Sequence, residues 1–75
     1  MLFRSPVATT YNNLYLDIRR QLKAAGVDNA QLEAQELVCY AADKTREQFL
    51  RDLSLYVADN VEKRVRDLTD RKSVV

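Results

Sequence analysis

The sequence predicts an all-α fold: a small bundle of four or five short helices with helical-hairpin connections. Three observations predict it. Apolar residues recur at spacings of three and four along most of the chain, as one face of a helix requires. One Gly and one Pro among 75 residues leave few of the turn signals that β-hairpins need. The segment from Leu32 to Leu50 reads as a helix, a tight connection and the start of a second helix.

The first helix is expected from Tyr11 to Ala25. Thr10 is its N-cap, and Gly26 stops it, because Gly adopts the left-handed conformation at little cost. Tyr11, Leu14, Tyr15, Ile18, Leu22 and Ala25 form its inner stripe, and Asp17, Arg19, Arg20 and Lys23 face water. The second helix runs from Ala30 to Ala42, capped by Asp28 or Asn29, with Ala30, Ala34, Leu37, Val38 and Ala41 on one face. The short link from Gly26 to Asn29 makes these two helices a hairpin.

Thr45 and Gln48 then form a capping box. The threonine oxygen accepts an N–H of the new helix, and the glutamine reaches back to the N–H of Thr45. The third helix, Arg46 to Leu53, is expected to bury Phe49, Leu50 and Leu53. It is too short to persist alone, so packing must hold it. Residues 54–58 form a connector from which Leu55 or Val57 folds back on the core. Asp59 caps the last helix with Glu62 at its third position, and Val61, Val65, Leu68 and the stem of Lys72 make the inner stripe. Residues 1–9 read as an N-terminal arm, 10–72 as the helical domain, and 73–75 as a truncated tail.

Composition restricts function. A chain this short forms one domain and buries roughly 60–65% of the surface its unfolded form exposes. Its net charge of +1 gives no bulk attraction to nucleic acid. Charges in the last helix alternate, and Glu62 with Arg66 and Asp67 with Arg71 are i,i+4 pairs in the favourable order. No window approaches the ~20 apolar residues of a membrane span, and the N-terminus lacks the apolar stretch of a secretory signal. A cytoplasmic location is expected.

Candidate chemistry is sparse. Cys39 is the one cysteine and the chain has no histidine, so the thiol has no base beside it and no zinc site can be assembled. Cys39 is read as a small, half-buried hydrophobe. The lone glycine excludes a phosphate-cradling loop. Glu33 and Glu36 lie one turn apart, but nothing nearby would separate their pKa values as acid–base catalysis requires. The chain by itself is read as non-catalytic, without cofactor or metal.

The segment Leu32-Glu33-Ala34-Gln35-Glu36-Leu37-Val38, then Ala41-Ala42-Asp43-Lys44-Thr45-Arg46, then Phe49-Leu50, resembles the N-terminal helical domain of the HemK/PrmC family. These are protein-(glutamine-N5) methyltransferases that modify peptide chain release factors. The family's wording there is close to L-D-A-E-L-L-L, then V-L-G-K-x-R, then a hydrophobic pair. Val61 to Arg71 resembles the family's next helix, and the similarity extends from Tyr11 to Lys72. Asp43 stands where the family often has Gly, so the end of the second helix is expected to differ. The family's G-E-P-x-A-Y linker, glycine-rich cofactor loop and N-P-P-Y motif have no counterpart in these residues.

The resemblance implies methyl transfer from S-adenosylmethionine to the glutamine of a release factor's GGQ motif, performed by a catalytic domain outside this chain. For these residues it implies binding and orienting the release factor beside that domain. Arg46 matches the family's recurrent arginine and, with Arg51 one turn on, is a candidate partner contact, since Arg is enriched in interfaces. Two rival classes compete: a free-standing helix-turn-helix regulator, and a dimerisation module anchored by exposed Tyr40 and Tyr56. The mixed charge of Arg46, Glu47, Gln48, Arg51 and Asp52 argues against the first.

Overall fold

The computed structural model describes residues 9–73. They form α1 (Tyr11–Ala24), α2 (Ala30–Ala42), α3 (Arg46–Arg51) and α4 (Asp59–Ser73), with no strand among the described residues. One antiparallel bridge joins Thr10 to Tyr56. α1 packs on α2 and α4, α2 also contacts α4, and α3 packs on α2.

α1 supplies large residues to the centre: Tyr11, Leu14, Tyr15, Ile18 and Leu22. α2 supplies mostly small ones: Ala30, Ala34, Val38 and Ala41. Large side chains facing small ones let two helix axes approach closely. α4 contributes Val65 and, unforeseen from the sequence, Thr69, which is fully buried. The Thr69 hydroxyl donates to the Val65 carbonyl at 2.8 Å, so its burial leaves no unsatisfied donor. Leu37, Leu53, Val61 and Leu68 are partly buried against this core. The side chain of Lys72 and the arm before Thr9 lie outside the described residues.

Both helices of the hairpin end in the same backbone motif. After α1, Gly26 has φ +83°, its N–H bonds the Lys23 carbonyl at 3.1 Å, and the Val27 N–H bonds that of Leu22 at 3.0 Å. After α2, Asp43 has φ +58°, its N–H bonds Tyr40 at 3.3 Å, and the Lys44 N–H bonds Cys39 at 3.0 Å. Each is a Schellman closure with a left-handed residue just past the helix. Asp43 therefore takes the conformation that glycine takes most cheaply, and the end of α2 keeps the shape a glycine there would give.

The N-terminus of α1 is closed by tertiary contacts. Its first N–H groups have no intrahelical acceptor. Tyr11 N–H donates to the Leu55 carbonyl and Asn12 N–H to that of Leu53, both at 3.0 Å. Asn13 N–H donates to the Thr10 hydroxyl at 3.2 Å, and Val57 N–H returns a bond to Thr9 at 2.7 Å. Of the two residues expected to fold back from the connector, Val57 is buried and Leu55 is exposed.

Several expectations need correction. Ala25 is the exposed C-cap of α1, lying past its last helical turn and outside the inner stripe. The cap of α2 is Asn29, not Asp28, because the Glu33 N–H bonds the Asn29 carbonyl at 3.0 Å. Asn29 is left-handed and makes no side-chain capping bond. α3 ends at Arg51 because the backbone then turns, placing the Leu53 and Leu55 carbonyls on α1. Leu50 is 51% exposed. In a six-residue helix Phe49 faces the core, and its neighbour points about 100° away. Asp59 lies inside the first turn of α4, because the Ala58 carbonyl accepts from Glu62 N–H at 2.9 Å. Asp59 acts there through the helix dipole, and Glu62 sits one position beyond N3, with its carboxylate bonded to Arg66 at 3.1 Å.

Two stability outcomes follow from this geometry. Asp43→Gly should stabilise the protein by about 1 kcal/mol, while Gly26→Ala should destabilise it by a similar amount. Urea denaturation followed by circular dichroism measures both. Phe49→Ala should cost about 3–5 kcal/mol and Leu50→Ala under about 1 kcal/mol; equal losses would contradict the placement of these two side chains.

Candidate protein-contact surface

The α2–α3 junction presents most of the side chains singled out in the sequence. The left-handed turn at Asp43 delivers Lys44 and Thr45 to the start of α3. The Thr45 hydroxyl accepts from Gln48 N–H and the Gln48 carbonyl oxygen accepts from Thr45 N–H, each at 3.1 Å. Lys44 reaches across the short helix to Asp52 at 2.8 Å, and its ammonium lies 5.4 Å from the centre of the Tyr11 ring. Behind them, Phe49 meets Tyr15 edge-on at 5.8 Å and Tyr11 at 6.5 Å between ring centres. α3 is thus held at its start, middle and end.

Arg46 and Arg51 both point outward from this anchored helix. Arg51 has only a long contact to Asp52, at 3.9 Å. Arg46 borders a cleft of about 220 Å³ with Gln35, Glu36 and Cys39. Three large apolar residues, Leu50, Leu55 and Tyr56, are exposed within seven consecutive positions. Tyr40, on α2, is 71% exposed. Solvent-facing arginines beside exposed apolar and aromatic side chains are the composition of a protein-contact surface.

A larger open groove, about 610 Å³, lies between the C-terminal half of α1 and the start of α2. Arg19 and Lys23 line it from α1, and Gln31, Leu32 and Gln35 from α2. Gln35 lines the Arg46 cleft as well, so the two depressions are neighbours on α2.

The electrostatics are structural in character. Cys39 is half-buried, and its thiol points to the Thr45 carbonyl at 3.9 Å. Burial pushes its pKa up, Arg46 partly opposes this, and Glu36 reinforces it. A thiol shifted that way is a poor nucleophile. Arg66 bridges α4 to α1 through Asp17 at 2.8 Å while holding Glu62 within its own helix. The Asp67–Arg71 pair closes at 3.3 Å. No group of three His, Cys, Asp or Glu side chains able to hold a metal occurs among the described residues. No helix among them is long and apolar enough to cross a membrane.

Comparison with known families gives one match. The PrmC N-terminal domain matches residues 13–73, which covers nearly all of the four-helix bundle. The chain belongs to the PrmC N-terminal domain family. It is the small helical domain of a PrmC-like methyltransferase. No curated protein and no solved structure gives a match. Within the PrmC-like segment, Lys44 has a structural role, staple between the start and end of α3, and Arg46 is left free at the surface.

Neither the Lys44–Asp52 nor the Asp17–Arg66 contact was legible in the sequence. The first depends on where α3 stops, and the second joins residues 49 apart. The groove formed by Arg19, Lys23 and Gln35 was likewise missed, because it exists only once two helices are side by side.

The Lys44–Asp52 hydrogen bond lowers the Asp52 pKa and raises that of Lys44. The carboxylate's stabilising contribution is present above its unfolded pKa, about 3.9, and is lost as the pH falls through the lower folded value. The ammonium's contribution is present below about pH 10.4 and is lost as the pH rises through the higher folded value. Wild-type protein should therefore lose more stability between pH 7 and strong acid than Asp52→Asn does. Urea titrations across that range test this, and parallel curves would remove the pair from any stabilising role.

Proposed function

We propose that this chain is the substrate-positioning part of a HemK/PrmC-type protein-(glutamine-N5) methyltransferase. It binds a peptide chain release factor and orients it toward a separate catalytic domain. That domain transfers the methyl group from S-adenosylmethionine to the glutamine of the GGQ motif, in the cytoplasm where release factors act. The family match over residues 13–73 carries this reading.

The physical character of the domain supports it. Contacts remote from the reacting atoms accelerate a reaction by fixing the substrate's position, and rigid helices make such contacts accurate. The bundle has a closed aromatic–aliphatic core and a pinned α3, with arginines and apolar side chains directed outward. The contact surface proposed is the outer side of α3 and the following connector: Arg46, Leu50, Arg51, Leu55 and Tyr56.

Calorimetric titration of a release factor into the 75-residue chain tests this. Binding is expected, with Arg46→Glu/Arg51→Glu weakening it by about tenfold or more, as loss of interface arginines does. Absence of binding by the chain, with equal methylation by the full enzyme whether or not this surface is mutated, would overturn the proposal.

A further inference from the structure

Arg19 and Lys23 line the groove between α1 and α2, Arg46 lines the cleft beside it, and Gln35 borders both; none of the three cations forms an ion pair among the described residues. Lys44, Arg66 and Arg71 are matched, by Asp52, by Asp17 and Glu62, and by Asp67; Arg20, Lys63 and Arg64 also lack an ion pair among the described residues but line neither depression. Arg19 makes a contact of another kind, 5.9 Å above the Tyr15 ring, which leaves its guanidinium edge available. Between the cations, the groove is lined by the uncharged amides Gln31 and Gln35 and by Leu32, which is exposed. Its own acids are Asp28 at one depression and Glu36 at the other.

We propose that these two adjoining depressions together dock an extended acidic segment of the protein partner, with carboxylates at Arg19, Lys23 and Arg46 and an aliphatic side chain over Leu32. The proposal rests on the substrate-positioning reading and adds a second contact for the same partner. Ala30 to Cys39 rises about 14 Å along the helix, the length of about four extended residues. Charge pattern selects a peptide over a nucleic acid. A phosphodiester strand carries a negative charge on every unit and would set some of them against Asp28 and Glu36. A peptide can place neutral residues there, and the exposed leucine suits it.

The test uses ¹⁵N-labelled 75-residue chain titrated with three probes: the pentapeptide Glu-Leu-Glu-Leu-Glu, its Lys-for-Glu counterpart, and a thymidine pentanucleotide. The acidic peptide should shift the amides of Gln31, Leu32, Gln35 and Cys39. Arg19→Glu/Lys23→Glu should weaken that binding about tenfold, while Arg64→Glu, on α4, should leave it unchanged. Circular dichroism checks the folding of each variant, and Arg19→Gln/Lys23→Gln provides the same comparison without charge reversal. Equal binding of the basic peptide, tighter binding of the nucleotide, or no effect of either double variant would overturn the inference. A release factor that binds the chain equally well with Arg19→Glu/Lys23→Glu sinks the groove and leaves the positioning role standing. An acidic peptide that binds as described, with no release-factor binding, does the reverse.

Discussion

A helix of six residues does not hold together in water, so α3 exists because Phe49 is trapped edge-on against Tyr11 and Tyr15. That contact links the short helix to the first turn of α1. The capping box fixes where α3 begins, and Lys44 ties its beginning to its end at Asp52. Residues placed by α3 inherit their positions from this aromatic contact. Arg46, Leu50 and Arg51 face outward because Phe49 faces in.

The same region also closes α1. The connector after α3 lends the Leu53 and Leu55 carbonyls to the first N–H groups of α1, and Thr9 accepts from Val57 in return. Satisfying helix-end donors with a distant segment makes each depend on the other, so the start of α1 and the path into α4 are set together. Leu55 and Tyr56 are exposed in this segment, whose backbone is committed to the start of α1.

For a domain that belongs to the PrmC family, this construction separates two tasks. The core, with α1's large side chains set against α2's alanines, supplies rigidity. Ion pairs such as Lys44–Asp52 and Arg66 with Asp17 join elements that the core leaves open at the surface. Outside these pairs, Arg19, Lys23 and Arg46 form no ion pair among the described residues, and Leu50, Leu55 and Tyr56 are exposed.

Much of this architecture is local and therefore readable in the sequence. Helix positions follow from periodicity, the Thr10 cap and the Thr45–Gln48 box from residues three apart, and the stop at Gly26 from its freedom to take positive φ. The tertiary structure decided the rest. Leu50 looked like core because its spacing allowed it, but a single short helix buries only one side. Asp43 adopts a glycine-like turn because α2 must close before Lys44 can reach Asp52. Thr69 entered the core by bonding its own helix, the groove lined by Arg19 and Lys23 was created by α1 lying beside α2, and the cleft at Arg46 by α3 lying beside α2. Local hydrogen bonding and hydrophobic spacing operate within a few residues, whereas ion pairs, burial limits and grooves depend on which distant segments become neighbours.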